Sequence, residues 1–271
     1  MSLRVERHGD VVQLRMTSAG GRAIGLGVSV YVVRGVMIDA GFPHARRELV
    51  AAARSLNVRG LVITHWHEDH AGNAPALAAN GIAISARDET LSILRSRPGI
   101  QLYRRAIWGR PPRLGAEPSR FDPVEAGLAL IHTPGHSPDH QVVWDASTRT
   151  LFSGDLWLGV RARVIHYDED PYRIIESLRA ALALEPARMF DAHRGAVLDP
   201  VEAIRAKIDW LGSTLTEIEQ RVEQGWSDGE IVRRVLGGEE SAALISRGSY
   251  SRRNLVQAAR RRLLRRSRGS E

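Results

Sequence analysis

Residues Thr64-His65-Trp66-His67-Glu68-Asp69-His70 crowd three imidazoles and two carboxylates into a single short run. Imidazole nitrogen and carboxylate oxygen are ligands for divalent cations, and a solitary structural histidine needs no such company. The run follows Gly60-Leu61-Val62-Ile63, which reads as a short buried strand. An extended turn at a strand end directs His65 and His67 to one side, while Asp69 and His70, entering the next helix, reach a nearby point. That spacing accommodates two metal ions.

Three later segments, His132-Thr133-Pro134-Gly135-His136, Ser153-Gly154-Asp155 and Asp191-Ala192-His193, each follow a predicted strand and offer a ligand at its end. An open catalytic zinc site takes about three protein ligands plus water. His65, His67 and His136 can therefore make one site, and Asp69, His70 and His193 the other. Asp155 has two oxygens with which to bridge them, offsetting the repulsion of two dications roughly 3.5 Å apart. Such a pair holds a bridging hydroxide at neutral pH, which Asp69 is expected to orient for hydrolysis of an ester, thioester or lactone, or of a phosphodiester. Zinc is the expected ion, and manganese or iron suits the same donors. Candidate substrate contacts are Trp66, between two ligands, and Arg161, Arg163, His166 and Tyr167, on the stretch after Asp155. His140 is expected to buttress a neighbour through a hydrogen bond.

The surrounding pattern supplies elements to position these residues. Val11 to Met16, Val28 to Val33 and Val36 to Ile38 read as strands, the last two joined at Arg34-Gly35. His44 to Leu56 and Asn73 to Ala79 suit helices. Residues 97–120, with four prolines and several arginines including Arg104 and Arg110, read as an inserted loop or lid. Gln141 to Trp144 and Thr150 to Ser153 form a second hairpin, followed by a helix over Pro171 to Leu184 and a strand over Arg188 to Phe190. Beyond Asp199-Pro200 the texture becomes helical, over Val201 to Val222, Asp228 to Leu236 and Ser251 to Leu264. The expected organisation is a hydrolase domain over 1–200 and a helical, Arg-rich extension over 201–271.

Composition narrows the chemistry. The chain has 271 residues and no cysteine, so it can form neither a disulfide nor a thiolate nucleophile, and any metal must be held by nitrogen and oxygen. No apolar run approaches the length of a membrane-spanning helix and the first residues lack a secretory signal, so a cytoplasmic protein without a membrane partner is expected. The net charge is +7, and Arg247 to Arg268 contains nine arginines and no acid. That tail is a candidate nucleic-acid contact, and equally a solvated helix face. Apolar positions of the C-terminal helices suit a homodimer as readily as an intrachain contact.

On these residues the chain resembles the metallo-β-lactamase superfamily over about residues 1 to 200. His65-x-His67-x-Asp69-His70 matches the superfamily signature, His136, Asp155 and His193 fall where the remaining ligands belong, and Met37-Ile38-Asp39-Ala40-Gly41 is similar to the strand and turn that precede it. The resemblance implies an α/β fold, a four-layer αββα sandwich with a dimetal site at one edge, here followed by a small helical appendage. The commonest zinc β-lactamases use a cysteine ligand and lack the bridging Asp, so the pattern is closer to glyoxalase II, the acyl-homoserine lactonases and the ribonuclease Z relatives. Thr133 to His140 with a helical tail is also similar to a branch containing single-strand endoribonucleases, which makes a metal-dependent nuclease the alternative to a small-molecule hydrolase. The persulfide dioxygenases of the superfamily share the signature but hold one iron, and His67 departs from the Glu of the flavodiiron proteins.

Overall fold

The computed structural model describes all residues except Met1, Ile24, Arg97, Pro98, Ala116, Arg163 and 269–271. Its first sheet runs in chain order through β1 (Ser2–His8), β2 (Val11–Thr17), β3 (Val28–Val33), β4 (Val36–Ile38), β5 (Gly60–Val62) and β6 (Ala83–Ser85). Helix α1 (Ala19–Ala23) lies between β2 and β3. Strands β3 and β4 meet at Arg34 and Gly35, both at positive φ, as a tight two-residue hairpin turn requires. Strands β4, β5 and β6 are parallel, and α2 (Arg46–Ser55) and α3 (Ala74–Ala78) lie on their crossovers.

After α4 (Asp88–Ser96) and α5 (Leu102–Trp108), the second sheet is built from β7 (Ala129–His132), β8 (Gln141–Asp145), β9 (Thr150–Phe152), β11 (Arg188–Asp191) and β12 (Gly195–Val197), in the order β12-β11-β9-β8-β7. The two-residue strand β10 (Ile165–His166) pairs instead with β13 (Tyr250–Ser251). The remaining helices are α6 (Pro171–Leu182), α7 (Pro200–Glu223), α8 (Asp228–Arg234), α9 (Ser241–Ile245) and α10 (Arg253–Arg268).

Strand periodicity assigns the layers. Along β3, Val28, Val30 and Val32 pack into a core with Leu49 of α2 and Leu77 of α3, while Tyr31 and Val33 point to the other side. There they meet Val143, Phe152 and Phe190 of the second sheet. On β8, β9 and β11 the alternate residues Val142, Leu151 and Met189 turn outward to Leu178 of α6 and Ile204 and Leu211 of α7. The inner strands β3, β4, β5 and β9 are thus covered on both faces, which is why they read as nearly unbroken apolar runs. Helix, sheet, sheet, helix is the four-layer αββα sandwich.

Several elements differ from the sequence reading. The first residues form β1, paired over its whole length with β2; its central side chains are exposed, so no apolar pattern advertised it. The 97–120 segment contains helix α5, whose Arg104 and Trp108 are buried, and is not a plain loop. The Arg-rich tail is helical as its sequence reads, but one face of it is packed into the molecule. Leu255, Val256 and Ala259 of α10 share the outer core with Leu215 and Ile218 of α7. Arg253 and Arg260 contact Asp228, and Arg262 and Arg266 contact Glu219. Among the described residues no helix is long and apolar enough to cross a membrane.

Because α7 and α10 close the same core as β8 and β9, truncating Ile218 should be felt by the whole molecule. Ile218→Ala is expected to lower unfolding stability by about 2–5 kcal/mol in a denaturant titration. A single transition with an unchanged midpoint would contradict this packing.

Candidate dimetal centre

The sandwich brings loops from both sheets to one edge. Beyond β5, the Thr64 carbonyl accepts from the Gln141 amide at the start of β8, tying the two sheets together beside the His-rich run. His65 Nε2 and His136 Nε2 lie 2.9 and 3.0 Å from His67 Nδ1. On the other side, His193 Nε2 stands 3.5 Å from Asp69 Oδ2, and His70 Nε2 stands 3.9 Å from the same oxygen. Asp155 divides its oxygens between the groups: Oδ2 is 3.3 Å from His136 Nε2, and Oδ1 is 3.2 Å from His70 Nε2 and 3.3 Å from His193 Nε2. The structure brings all seven sequence-predicted ligands together, as two clusters with Asp155 between them.

Hydrogen bonds behind the rings decide which nitrogens face inward. Asp39, on the turn after β4, takes up a left-handed conformation with φ 65° and accepts from the Thr64 amide, the Thr64 hydroxyl and His70 Nδ1 at 2.8, 2.9 and 2.7 Å. Since the Thr64 hydroxyl proton goes to Asp39, its oxygen accepts from His65 Nδ1 at 3.0 Å. His193 Nδ1 donates to the Gly27 carbonyl at 2.8 Å. The network therefore assigns the ring protons to Nδ1 and leaves the Nε2 lone pairs of His65, His70 and His193 turned toward the centre.

His140 plays the buttressing role expected of it. Burial and the neighbouring His136 lower its pKa to about 3, so the ring is neutral; Nδ1 meets Thr133, and Nε2 accepts the Asp155 amide at 3.1 Å. A Cβ on Gly154 would lie 2.8 Å from that Nε2, so this turn requires glycine for space as well as for its φ of 51°.

This donor set fits divalent cations. His70 Nε2 and Asp155 Oδ1 are buried without a hydrogen-bond partner although they are neighbours, an orphaned acceptor-rich pair of the kind a cation satisfies. Protons and metal ions compete for the same lone pairs. Burial disfavours charge on His193, but Asp155 and Asp69 outweigh it and raise the pKa to about 9. Burial likewise opposes charge on His70, and Asp155 and Asp39 overcome it. Burial drives His65 and His67 well below the usual imidazole range, with His70 adding to the effect on His65 and Arg104 to that on His67.

The sequence reading missed the supports. Glu68, inside the ligand run, is buried and accepts both Nε and Nη2 of Arg104 at 2.5 and 2.9 Å, joining α5 to the centre. Glu169 Oε1 lies 3.4 Å from His136 Nδ1. Asp139 accepts from the Trp66 amide, the Thr90 hydroxyl and the Ser137 hydroxyl, so it braces the ligand-bearing loops. Asp39 was legible only as part of an Asp-x-Gly turn; no local signal marked Glu68 and Arg104 as partners.

The proposed substrate contacts are dispersed. Trp66 packs toward Leu94, Ile100 and Pro111 around a cavity of about 10 Å³. His166 is buried with its ring 4.2 Å from Tyr167 and 4.9 Å from Tyr250, and Tyr167 is half-exposed. Arg161 lines a groove with Arg194, on the segments that follow Asp155 and His193. Arg163 lies outside the described residues.

The fold and this paired donor set define a metal-dependent hydrolase. The chain belongs to the metallo-beta-lactamase superfamily, whose family model matches residues 23–193. It is 25% identical over 235 residues to the "Beta-lactamase-like protein 2 homolog" of Drosophila melanogaster, covering 78% of this chain and 74% of that protein. It is 26% identical to the "Atrochrysone carboxyl ACP thioesterase" of Passalora fulva over 68% of this chain, and spans only 53% of that protein. The solved DIM-1 metallo-beta-lactamase superposes with a TM-score of 0.60 at 19% identity, over 79% of this chain and 98% of that one, and so shares the fold.

Three outcomes follow from the geometry. Asp155→Ala should reduce tightly held metal from two ions per chain to one or fewer by elemental analysis; an unchanged count would remove Asp155 from the bridge. Asp39→Ala should weaken metal affinity by about 10- to 100-fold in a chelator competition, because it releases the His65 and His70 rings. Metal uptake should release protons and tighten as pH rises from about 6 to 9, since the metal takes neutral His193 and His70 rings; calorimetry in buffers of different ionisation enthalpy reads this directly.

Proposed function

We propose that this chain hydrolyses an activated acyl bond, that of a thioester, ester or lactone, using two zinc ions. The observation that carries the reading is the division of Asp155 between the two donor clusters within a set made only of nitrogen and oxygen. The thioesterase activity in the name of the Passalora fulva relative favours the thioester among the three.

When bound, a pair of such ions supplies Lewis acidity and an ionised water at neutral pH. The chain's residues do the rest. Asp69 orients the attacking water through its carboxylate, while Asp39, Thr64 and His140 keep the ligands from turning. Oxygen from water joins the acyl carbon, the carbon–sulfur or carbon–oxygen bond breaks, and the leaving thiol or alcohol takes up a proton. His166 and Tyr167, adjacent on the stretch that follows Asp155, are the side chains proposed to meet the leaving group.

A nuclease is the second reading, motivated by the basic tail and by the resemblance at Thr133 to His140. Contacts of four α10 arginines with Asp228 and Glu219 weaken the tail's part of that motive, because a guanidinium already facing a carboxylate releases fewer counterions from a nucleic acid.

The test is a panel of thioesters, esters and lactones offered to the zinc-loaded chain, with labelled single-stranded RNA alongside. Acyl hydrolysis is expected, and Asp69→Ala should lower it roughly 100- to 1,000-fold. A chain that holds two metal ions, leaves every acyl substrate intact and cleaves the RNA would overturn the proposal.

A further inference from the structure

The loop leaving Asp155 is held from three directions. Lys207, buried on α7, donates to the carbonyls of Trp157 and Gly159, the second at 3.1 Å. Trp157 Nε1 donates to the Ala203 carbonyl at 3.0 Å, and the Leu158 amide donates to Asp191 Oδ2 at 2.9 Å. Arg194 Nε donates to the Leu158 carbonyl at 3.3 Å. Leu158 is left-handed at φ 53°, a conformation a leucine keeps only where its surroundings impose it.

Between this fixed loop and the turn after His193 lies a groove of about 490 Å³. Its walls include Trp157, Val160, Val197 and Leu198, the last 87% exposed. Among the described residues the charged ones lining it are Arg161 and Arg194, with no acid. Neither arginine forms an ion pair with a described residue, in contrast to the arginines of α10 that face Asp228 and Glu219. Guanidinium groups without carboxylates, beside an apolar wall, complement a ligand with an anion on an apolar chain. The groove is walled by the two segments that leave the candidate centre: Trp157 is two residues from Asp155, and Arg194 follows His193 directly.

We propose that this groove binds the phosphate-bearing, pantetheine-like arm of an acyl thioester, with Arg161 and Arg194 clamping the phosphate and Trp157, Val160 and Leu198 covering the chain. The inference rests on the thioester reading of the site and names the carrier that reading leaves open. Because Lys207, Asp191 and Ala203 hold the loop in place beforehand, little ordering cost opposes the arm when it binds.

The arm can be tested without turnover. In calorimetry with the purified full chain, 4′-phosphopantetheine should bind at least tenfold more tightly than pantetheine, and added salt should narrow the difference. Arg161→Ala and Arg194→Ala should each cost 4′-phosphopantetheine about tenfold and leave pantetheine unchanged. Both residues are exposed, and unchanged melting curves will show that the variants fold. Equal binding of the two ligands, a double variant that binds like the parent, or S-acetylglutathione competing with the same dependence on both arginines would overturn the proposal. Hydrolysis of an N-acetylcysteamine thioester, which has no phosphate, separates the two claims: turnover without arm selectivity refutes the groove alone, and arm selectivity without turnover refutes the thioester reading alone.

Discussion

Imidazole nitrogens of His65 and His136 approach the same His67 nitrogen to about 3 Å, a crowding of ligand atoms that a cation among them would satisfy. That convergence of His65, His67 and His136, matched by His70, His193 and Asp69 across Asp155, is the constraint on which the rest of this structure depends. Buried donors of one kind cannot be satisfied by each other, so the fold must hold them in place by other means. It does so from behind. Asp39 receives the protons of His70 and, through Thr64, of His65; Gly27 receives that of His193; neutral His140 supports the backbone of Asp155.

The layers explain how such distant residues meet. Every candidate ligand lies just beyond a strand of one of the two sheets, and the sheets face each other through Tyr31, Phe152 and Phe190. A rigid aromatic contact between the sheets therefore fixes the distance between the two halves of the site. Aromatic ring centroids 5.2 to 5.6 Å apart are the packing expected of such a seam.

The parts added to the sandwich are joined to the centre by charge. Arg104 of α5 reaches Glu68 inside the ligand run, in a buried bidentate pair whose disruption would leave a carboxylate stranded in the interior. Lys207 of α7 reaches back to the loop that follows Asp155. Neither the 97–120 segment nor the C-terminal helices stand apart: one touches the ligand run, and the others close the outer core and shape the groove beside His193.

The candidate ligands were legible from the chain alone, because histidines and aspartates at strand ends carry their chemistry in residue type and spacing. The inner strands were legible too, since burial on both faces writes long apolar runs. Strand β1 was hidden because its exposed face carries no pattern, and α5 because prolines and arginines crowd its neighbourhood. Spacing along the chain could say nothing of Glu68 with Arg104, of Asp228 with Arg260, or of Arg161 beside Arg194. Those relations join residues remote in sequence, and only the packed fold, by choosing which charges meet and which remain without a counterpart, turned an Arg-rich composition into a partly paired helix and a cationic groove.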